Sequence, residues 1–197
     1  MPGTRRALLS LVLAGAPVPA AFAAPPDPRE TDRAVGSSGA PHGVIECFSL
    51  TCPHCADFAL EAFPAIKSKW IDPGRLRWVF YDFPTDGAAL LAAMVARSIP
   101  PDRYESFIGS LFASQAAWAY GKGSIADALW LRASDAGMDR SSFDKAIGDT
   151  HLRDWIVSRA MDAQTRWKVD ATPGFVIDGK LFEGAMSADA FSQLLGG

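Results

Sequence analysis

The stretch Val44–Cys55, VIECFSLTCPHC, joins a short apolar segment to two cysteines that are separated by two residues. Gly43–Ser49 is rich in strand-forming residues and is bounded by turn signals, so we predict a buried strand there. From Cys52 the apolar spacing becomes helical and stays helical to Trp70. Proline suits the first position of a helix, and Pro53 therefore makes Cys52 the N-cap. The sequence predicts a strand that leads directly into a helix with a cysteine at its start.

Cys52 and Cys55 carry the chemistry that this arrangement favours. A cysteine reacts as its thiolate, and the main-chain N–H groups and dipole at a helix N-terminus lower the pKa of a thiol placed there. Cys55 lies one turn deeper on the same helical face, within disulfide reach of Cys52. His54 is unfavourable for helix stability in the first turn, but it stabilises a neighbouring thiolate. We therefore predict a redox-active pair in which Cys52 attacks and Cys55 resolves.

Other uses of a cysteine pair fit this sequence less well. Haem attachment needs a histidine directly after the second cysteine, and residue 56 is alanine. A zinc site needs four ligands, but a second cysteine pair is absent and His42, His54 and His151 are scattered, so no metal site is predicted. An inert structural disulfide remains an alternative interpretation, although a strand that leads directly into a helix disfavours it. Two thiolates also suit Cu(I), which leaves a copper-binding thiol protein as an alternative.

Two further residues of the predicted strand bear on the site. Glu46 lies six residues before Cys52, and a buried carboxylate there would have a raised pKa and could relay a proton to or from Cys55. The alternative is a strand-edge glutamate in solvent. Cys47 points to the opposite face of the strand, where it is expected to be a small buried hydrophobic side chain.

The rest of the chain predicts an α/β core with a large helical insertion. Arg75–Asp82 alternates as a second strand, and Pro64 should kink the helix that precedes it. The sheet resumes with Gly174–Ile177, a hairpin at Asp178-Gly179 and Lys180–Phe182, before a last helix that Ser187 caps. Between these parts, helical spacing recurs over Asp86–Ser98, Asp102–Ser114, Ser124–Ala136, Ser141–Ile147 and Thr150–Trp167. Thr172-Pro173 precedes the hairpin, either as an ordinary turn or as a cis-proline loop that faces the cysteines.

Composition and the N-terminus bound the setting. The 197 residues are 49% apolar and 21% charged with a net charge of −3, which suits one globular domain and makes a poor nucleic-acid binder. Arg5-Arg6 is followed by an apolar run and then by Ala21-Phe22-Ala23, the pattern of a signal peptide cleaved after Ala23. We expect residues 1–23 to direct export, residues 24–42 to form an extended leader with a short strand near Arg33–Val35, and the mature protein to reside where disulfides persist.

With these residues in place, the sequence resembles the DsbA-like thiol:disulfide oxidoreductases of the thioredoxin superfamily. The resemblance rests on VIECFSLTCPHC and on Ala171–Gly184, ATPGFVIDGKLFEG, with a helical block between them. It implies a thioredoxin-like domain formed by residues 43–84 and 170–197, with residues 85–169 as the insertion. It also implies Cys52 as nucleophile, Cys55 as resolving cysteine, Glu46 as the buried acid, and Thr172-Pro173 as a cis-proline loop that guides substrate. Pro53 and His54 then tune the thiolate.

The function expected from these observations is a monomeric, periplasmic dithiol oxidase. It would donate its Cys52–Cys55 disulfide to reduced or unfolded exported proteins, without a cofactor other than that disulfide. A quinone-linked membrane partner of the DsbB kind would reoxidise it. A reductase or isomerase on the same scaffold is the nearest alternative.

Overall fold

The protein is described here by a computed structural model that covers residues 26–197, and the predicted signal peptide lies outside the described residues. Five strands form one mixed sheet: β1 (Arg33–Val35), β2 (His42–Phe48), β3 (Leu76–Asp82), β4 (Gly174–Ile177) and β5 (Lys180–Glu183). Their order across the sheet is β1-β3-β2-β4-β5. β2 is parallel to β3 and antiparallel to β4, so the strand that precedes the cysteines lies at the centre of the sheet.

The helix that begins after Cys52 continues to Ile71 with two irregular turns. α1 spans Pro53–Asp57 and α2 spans Phe63–Ile66, and π-helical segments occupy Phe58–Ala62 and Lys67–Ile71. The irregularity that Pro64 predicts therefore takes the form of a widened turn directly before it. Proline offers no N–H to a preceding carbonyl, and a π turn is one of the ways in which a helix accommodates such a break.

Helices fill the chain between β3 and β4, as the spacing predicted. They are α3 (Gly87–Arg97), α4 (Tyr104–Ala113), α5 (Gln115–Trp118), α6 (Ile125–Asp135), α7 (Arg140–Gly148) and α8 (Thr150–Trp167), and α9 (Ala188–Leu194) follows the sheet. Side chains of Asp86, Ser124, Asp139, Asp149 and Ser187 cap the N-termini of α3, α6, α7, α8 and α9. Short 3-10 turns occupy Pro28–Glu30 and Pro101–Arg103. The short helix α5 is an addition to the predicted set.

The leader is fastened to the fold rather than free. Its strand β1, at the predicted Arg33–Val35, pairs antiparallel with β3. Arg97 of α3 is fully buried and its Nε donates to Asp82 Oδ2 at 2.5 Å. The same guanidinium donates through Nη1 to the carbonyls of Arg29 and Thr31, and Arg33 donates to the Arg97 carbonyl. This buried cluster binds the leader, β3 and the helical block to one another.

Aromatic side chains dominate the core beneath the cysteine-bearing helix. Trp78 of β3 stacks on Phe58 with ring centroids 5.9 Å apart and contacts Phe191 of α9 at 5.4 Å. Phe175 of β4 lies 4.6 Å from Phe58. Each aromatic ring buries a large apolar area, so the helix is held firmly against the sheet. Among residues 26–197, no helix is both long enough and apolar enough to cross a membrane.

Candidate active site

Cys52 and Cys55 lie where the central strand β2 gives way to α1. Cys52 is the N-cap of α1 with an extended backbone, as predicted, and Pro53 is the first helical residue. The Cys52 thiol is half-buried, whereas Cys55 is fully buried. Both cysteines carry free thiols. One sulfur is therefore open to a second molecule and the other is shielded from it.

The surroundings of the two sulfurs shift their pKa values in opposite directions. A hydrogen bond from Cys55 is the largest influence on Cys52, and it lowers the pKa of Cys52 to about 5 against the effect of partial burial. A side-chain hydrogen bond from Thr172 and the main-chain N–H groups of Cys55 and His54 act in the same direction. Burial, followed by the hydrogen bond with Cys52, raises the pKa of Cys55 far above its ordinary value. Near neutral pH, Cys52 is a thiolate and Cys55 a thiol.

The predicted N-capping interaction with the Cys52 sulfur is weak in the structure. No side-chain capping hydrogen bond joins Cys52 to the first turn, and the N–H groups of His54 and Cys55 act on the pKa of the thiol as minor contributors. The Thr172 carbonyl oxygen lies 3.3 Å from the Cys52 sulfur and accepts a hydrogen bond from it when the thiol is protonated. The site therefore depends on a contact between residues 120 positions apart as well as on the local helix.

The Thr172–Pro173 peptide bond is cis and lies beside Cys52, where the resemblance placed it. Glu183 of β5 holds the preceding turn, because its carboxylate accepts from the N–H groups of Asp170 and Ala171 at 2.9 and 3.0 Å. The Pro173 carbonyl accepts from Gly184 at 2.9 Å. The hairpin thus sets the position of this loop against the cysteines.

Glu46 is buried in the centre of the sheet, so the alternative of a solvent-facing glutamate is wrong. Its side chain accepts one hydrogen bond, from Trp78 Nε1 at 3.0 Å. Burial raises the pKa of Glu46 to about 8, and the bond from Trp78 opposes this only in part. A negative charge on Glu46 would also raise the pKa of Cys55. A cavity of about 270 Å³ connects the surroundings of Glu46 with the Lys67–Glu105 ion pair, whose atoms are 2.7 Å apart.

The side chain of His54 is largely exposed. Its side chain is 74% exposed, and its Nδ1 is 4.0 Å from the carboxylate of Asp57, one turn further along. The contribution of His54 to the pKa of Cys52 comes from its main-chain N–H. Stabilisation of the thiolate by the imidazole stays a prediction.

The loop between β2 and α1 is held by side chains that the sequence reasoning did not single out. Thr51 Oγ1 donates to Asp86 Oδ2 at 2.6 Å, while the other carboxylate oxygen of Asp86 caps α3. The hydroxyls of Ser49 and Thr85 share a hydrogen bond of 2.9 Å. These pairs join residues about 35 positions apart, and nothing in the local sequence pattern reveals them.

Two more unpredicted contacts come from the helical block. Gln115 of α5 is buried, and its Nε2 donates to the carbonyls of Leu50 and Cys52 at 2.9 and 3.0 Å. The hydroxyl of Tyr120 donates to the carbonyl of Thr51. One short segment of the insertion therefore binds three consecutive peptide carbonyls, those of Leu50, Thr51 and Cys52.

Cys47 is separate from the pair, as its strand position predicted. It is fully buried on the other face of the sheet with Tyr81, Phe83 and Val169, and burial raises its pKa to about 12. Within the described part of the chain, no three His, Cys, Asp or Glu side chains gather as ligands for a metal ion.

In this protein the central strand of a mixed sheet leads into a helix that begins with Cys-x-x-Cys, and a proline loop lies beside the cysteines. This arrangement defines the thioredoxin-like class of proteins. A family model described as thioredoxin matches residues 28–196, and the chain belongs to that family. The predicted α/β fold with its helical insertion and the resemblance to DsbA-like proteins are thereby confirmed at the level of fold and family.

The crystal structure of α-DsbA1 from Wolbachia pipientis is similar to this chain, with a TM-score of 0.79, 28% identity, and coverage of 86% of this chain and 94% of that one. A protein-disulfide isomerase from Novosphingobium aromaticivorans is similar with a TM-score of 0.71, 26% identity, and coverage of 84% and 96%. A relative from Rickettsia typhi, provisionally named protein-disulfide oxidoreductase, is 26% identical over 137 residues, 69% of this chain. The chain spans about half the length of the curated relatives it matches, 50% for this one.

Proposed function

We propose that this protein is a thiol:disulfide oxidoreductase that oxidises pairs of cysteines in other proteins. The opposite pKa shifts of Cys52 and Cys55 are the observation that carries the proposal. A thiolate that is stable in the folded protein makes the reduced form favourable, and a disulfide whose reduction is favourable is a strong oxidant. The names of similar proteins, which include a protein-disulfide oxidoreductase and an isomerase, support the general class of reaction.

The reaction proceeds by two thiol exchanges. A substrate thiolate attacks Cys52 Sγ in the Cys52–Cys55 disulfide, because this sulfur is the more exposed one. A mixed disulfide with Cys52 forms, and Cys55 leaves as a thiolate that takes up a proton. A second substrate thiolate then attacks the substrate sulfur of the mixed disulfide, and Cys52 leaves as a stabilised thiolate. The substrate gains a disulfide and loses two electrons, which remain in the reduced cysteine pair.

In this proposal Glu46 donates the proton that Cys55 takes up. At neutral pH its carboxyl is largely protonated, because its pKa lies near 8. A buried acid of this kind protonates a leaving thiolate without placing two negative charges together in the core. The cavity that extends toward Lys67 and Glu105 offers a route by which Glu46 regains a proton from solvent.

The loop at Thr172 and Pro173 binds the main chain of the substrate. Pro53 and His54, in the first turn of the helix, tune the pKa of the Cys52 thiol. The Thr172 carbonyl reaches the Cys52 sulfur, so a segment bound to Cys52 would lie along this loop. The cysteine pair carries the electrons, without a further cofactor.

The proposed setting is the periplasm, after cleavage of the signal peptide near Ala23. The substrates are then exported proteins in reduced or unfolded form. The reduced enzyme needs an electron acceptor, for which we propose a quinone-linked membrane protein of the DsbB kind, and the enzyme acts as a monomer.

The decisive experiment is the reduction potential of the Cys52–Cys55 pair, measured together with the oxidation of a reduced, unfolded model protein. An oxidase requires a potential well above about −200 mV, whereas a value near −270 mV, as in thioredoxin, indicates a reductase. Cys52→Ser removes the activity. Cys47→Ala is the matched control, because Cys47 lies on the other face of the sheet and should leave both potential and activity unchanged. A low potential would overturn the oxidase proposal.

A further inference from the structure

Residues 115–120 connect the helical block directly to the reactive cysteine. The Gln115 amide binds the carbonyls of Leu50 and Cys52, and the Tyr120 hydroxyl binds the carbonyl of Thr51. Such a concentration of hydrogen bonds on three consecutive peptide carbonyls fixes the segment relative to the Cys52 sulfur. The reaction proposed above assigns no role to it.

Tyr120 is exposed even though its polar end is bound. The residue is 59% exposed, which makes it one of the most exposed large apolar side chains in the described part of the protein. Its hydroxyl is occupied by the Thr51 carbonyl, so the face of the ring is what remains available to solvent. An exposed aromatic ring whose hydroxyl binds the peptide carbonyl directly before Cys52 is a candidate binding element, because an aromatic side chain offers apolar area at little cost in side-chain entropy.

The backbone around Tyr120 is built to hold this position. Trp118 is buried and its indole N–H donates to the Leu111 carbonyl at 2.8 Å, which closes α5 onto α4. A side chain on Gly121 would place its Cβ 2.2 Å from the Ala117 carbonyl oxygen. Glycine is therefore required directly after Tyr120, where the chain turns tightly back over α5.

We propose that Tyr120 is a specificity-determining residue that contacts an aromatic or aliphatic side chain next to the substrate cysteine. This inference rests on the proposed function and names the substrate class more closely. Cysteine is among the residues most often buried in folded proteins, so the residues beside a cysteine that will form a disulfide are frequently apolar. In a reduced, unfolded substrate these side chains are exposed, and the ring of Tyr120 would cover one of them while the thiols exchange.

The test uses short peptides with one cysteine that differ only in the residue beside it: phenylalanine, glycine or aspartate. The rate constant of mixed-disulfide formation is measured with the oxidised protein and, in the opposite direction, with the reduced protein and the peptide disulfides. We compare Tyr120→Ala, which removes the ring, with Tyr120→Phe, which removes only the hydroxyl. Leu131→Ala is the matched control, because Leu131 is 57% exposed on α6.

We expect the original protein to react with the phenylalanine peptide about threefold to tenfold faster than with the glycine peptide, the range that aromatic contacts provide. Tyr120→Ala should abolish this preference, Tyr120→Phe should keep most of it, and Leu131→Ala should leave it unchanged. An equal rate with all peptides, an equal loss in both tyrosine variants, or a uniform fall for every peptide would overturn the inference while leaving the redox function in place. Absence of thiol exchange in either direction would overturn both proposals.

Discussion

Reduction of the Cys52–Cys55 disulfide should stabilise the folded protein at neutral pH, and acid should remove that stabilisation. The pKa of Cys52 is lowered from 9.0 to about 5 in the folded protein. At pH 7 the thiolate is formed in the folded protein and almost absent from the unfolded chain. Only the interval of about two pH units between the folded pKa and pH 7 contributes at this pH, which is ~2.7 kcal/mol for a fully buried group. Cys52 is only half-buried, and with solvent screening we expect about 1–2 kcal/mol.

The sign of the effect follows from the lowered pKa. A group whose folded pKa is below its unfolded value stabilises the fold at high pH, and its contribution disappears as the pH falls through the folded value. For Cys52 the contribution is complete above about pH 9 and is lost around pH 5. Between pH 7 and pH 4 the reduced protein should therefore lose about 1–2 kcal/mol relative to the oxidised protein.

Urea unfolding followed by tryptophan fluorescence measures this difference directly. Glu46 also titrates in this region, but burial and Trp78 set its pKa, so its effect is common to both redox forms and cancels in the difference. Reduced Cys52→Ser is the matched control and should lack the additional loss in acid. A reduced-minus-oxidised difference that stays constant from pH 7 to pH 4 would refute the assignment of the thiolate to Cys52.

Three further outcomes are expected. Glu46→Gln removes a buried acid whose pKa is raised to about 8. The original protein should lose stability as the pH rises from about 4.5 to 8, because the buried carboxyl must ionise, and urea titrations at several pH values should show that the variant does not. Arg97→Met leaves the buried carboxylate of Asp82 without its cation and should lower the free energy of unfolding by about 3–5 kcal/mol; a loss no larger than that of an exposed arginine would contradict this. His54→Ala keeps the main-chain N–H and removes the imidazole that is predicted to stabilise the thiolate, so it should raise the pKa of Cys52 in a thiolate-absorbance titration; an unchanged pKa would leave only the main-chain N–H of residue 54 as a contributor.

Elements with strong local signals could be predicted from the sequence. The structure has β4 at Gly174–Ile177 and α8 at Thr150–Trp167, the bounds that turn signals and helical spacing indicate. Asp and Ser before apolar periodic segments also marked helix starts, because capping is an interaction within one turn. α5, at Gln115–Trp118, has four residues and is too short for periodicity to identify it.

The site was predictable only where a short motif contained it. Cys52 and Cys55 follow from their spacing and from the helix that begins between them. Residues that bind the reactive loop from a distance, such as Gln115 and Asp86, carry no local signature, because their partners are peptide carbonyls and hydroxyls in another part of the chain. The hydrogen bond from Trp78 to Glu46 is of the same kind, since β3 must pair beside β2 before the two side chains meet.

The sheet order has a consequence for the folding of this protein. Closing the central pair β2 and β4 joins parts of the chain as far apart as Cys52 and Thr172, which are separated by 120 residues. For a flexible chain this closure carries an entropic cost of about 4 kcal/mol, and a compact helical block between the two strands lowers this cost. The N-terminus of α1 forms locally, but the contact with Thr172 and the burial of Cys55 exist only after the last strands have joined. A newly made chain therefore carries ordinary thiols, and its reactivity begins with the completion of its own fold.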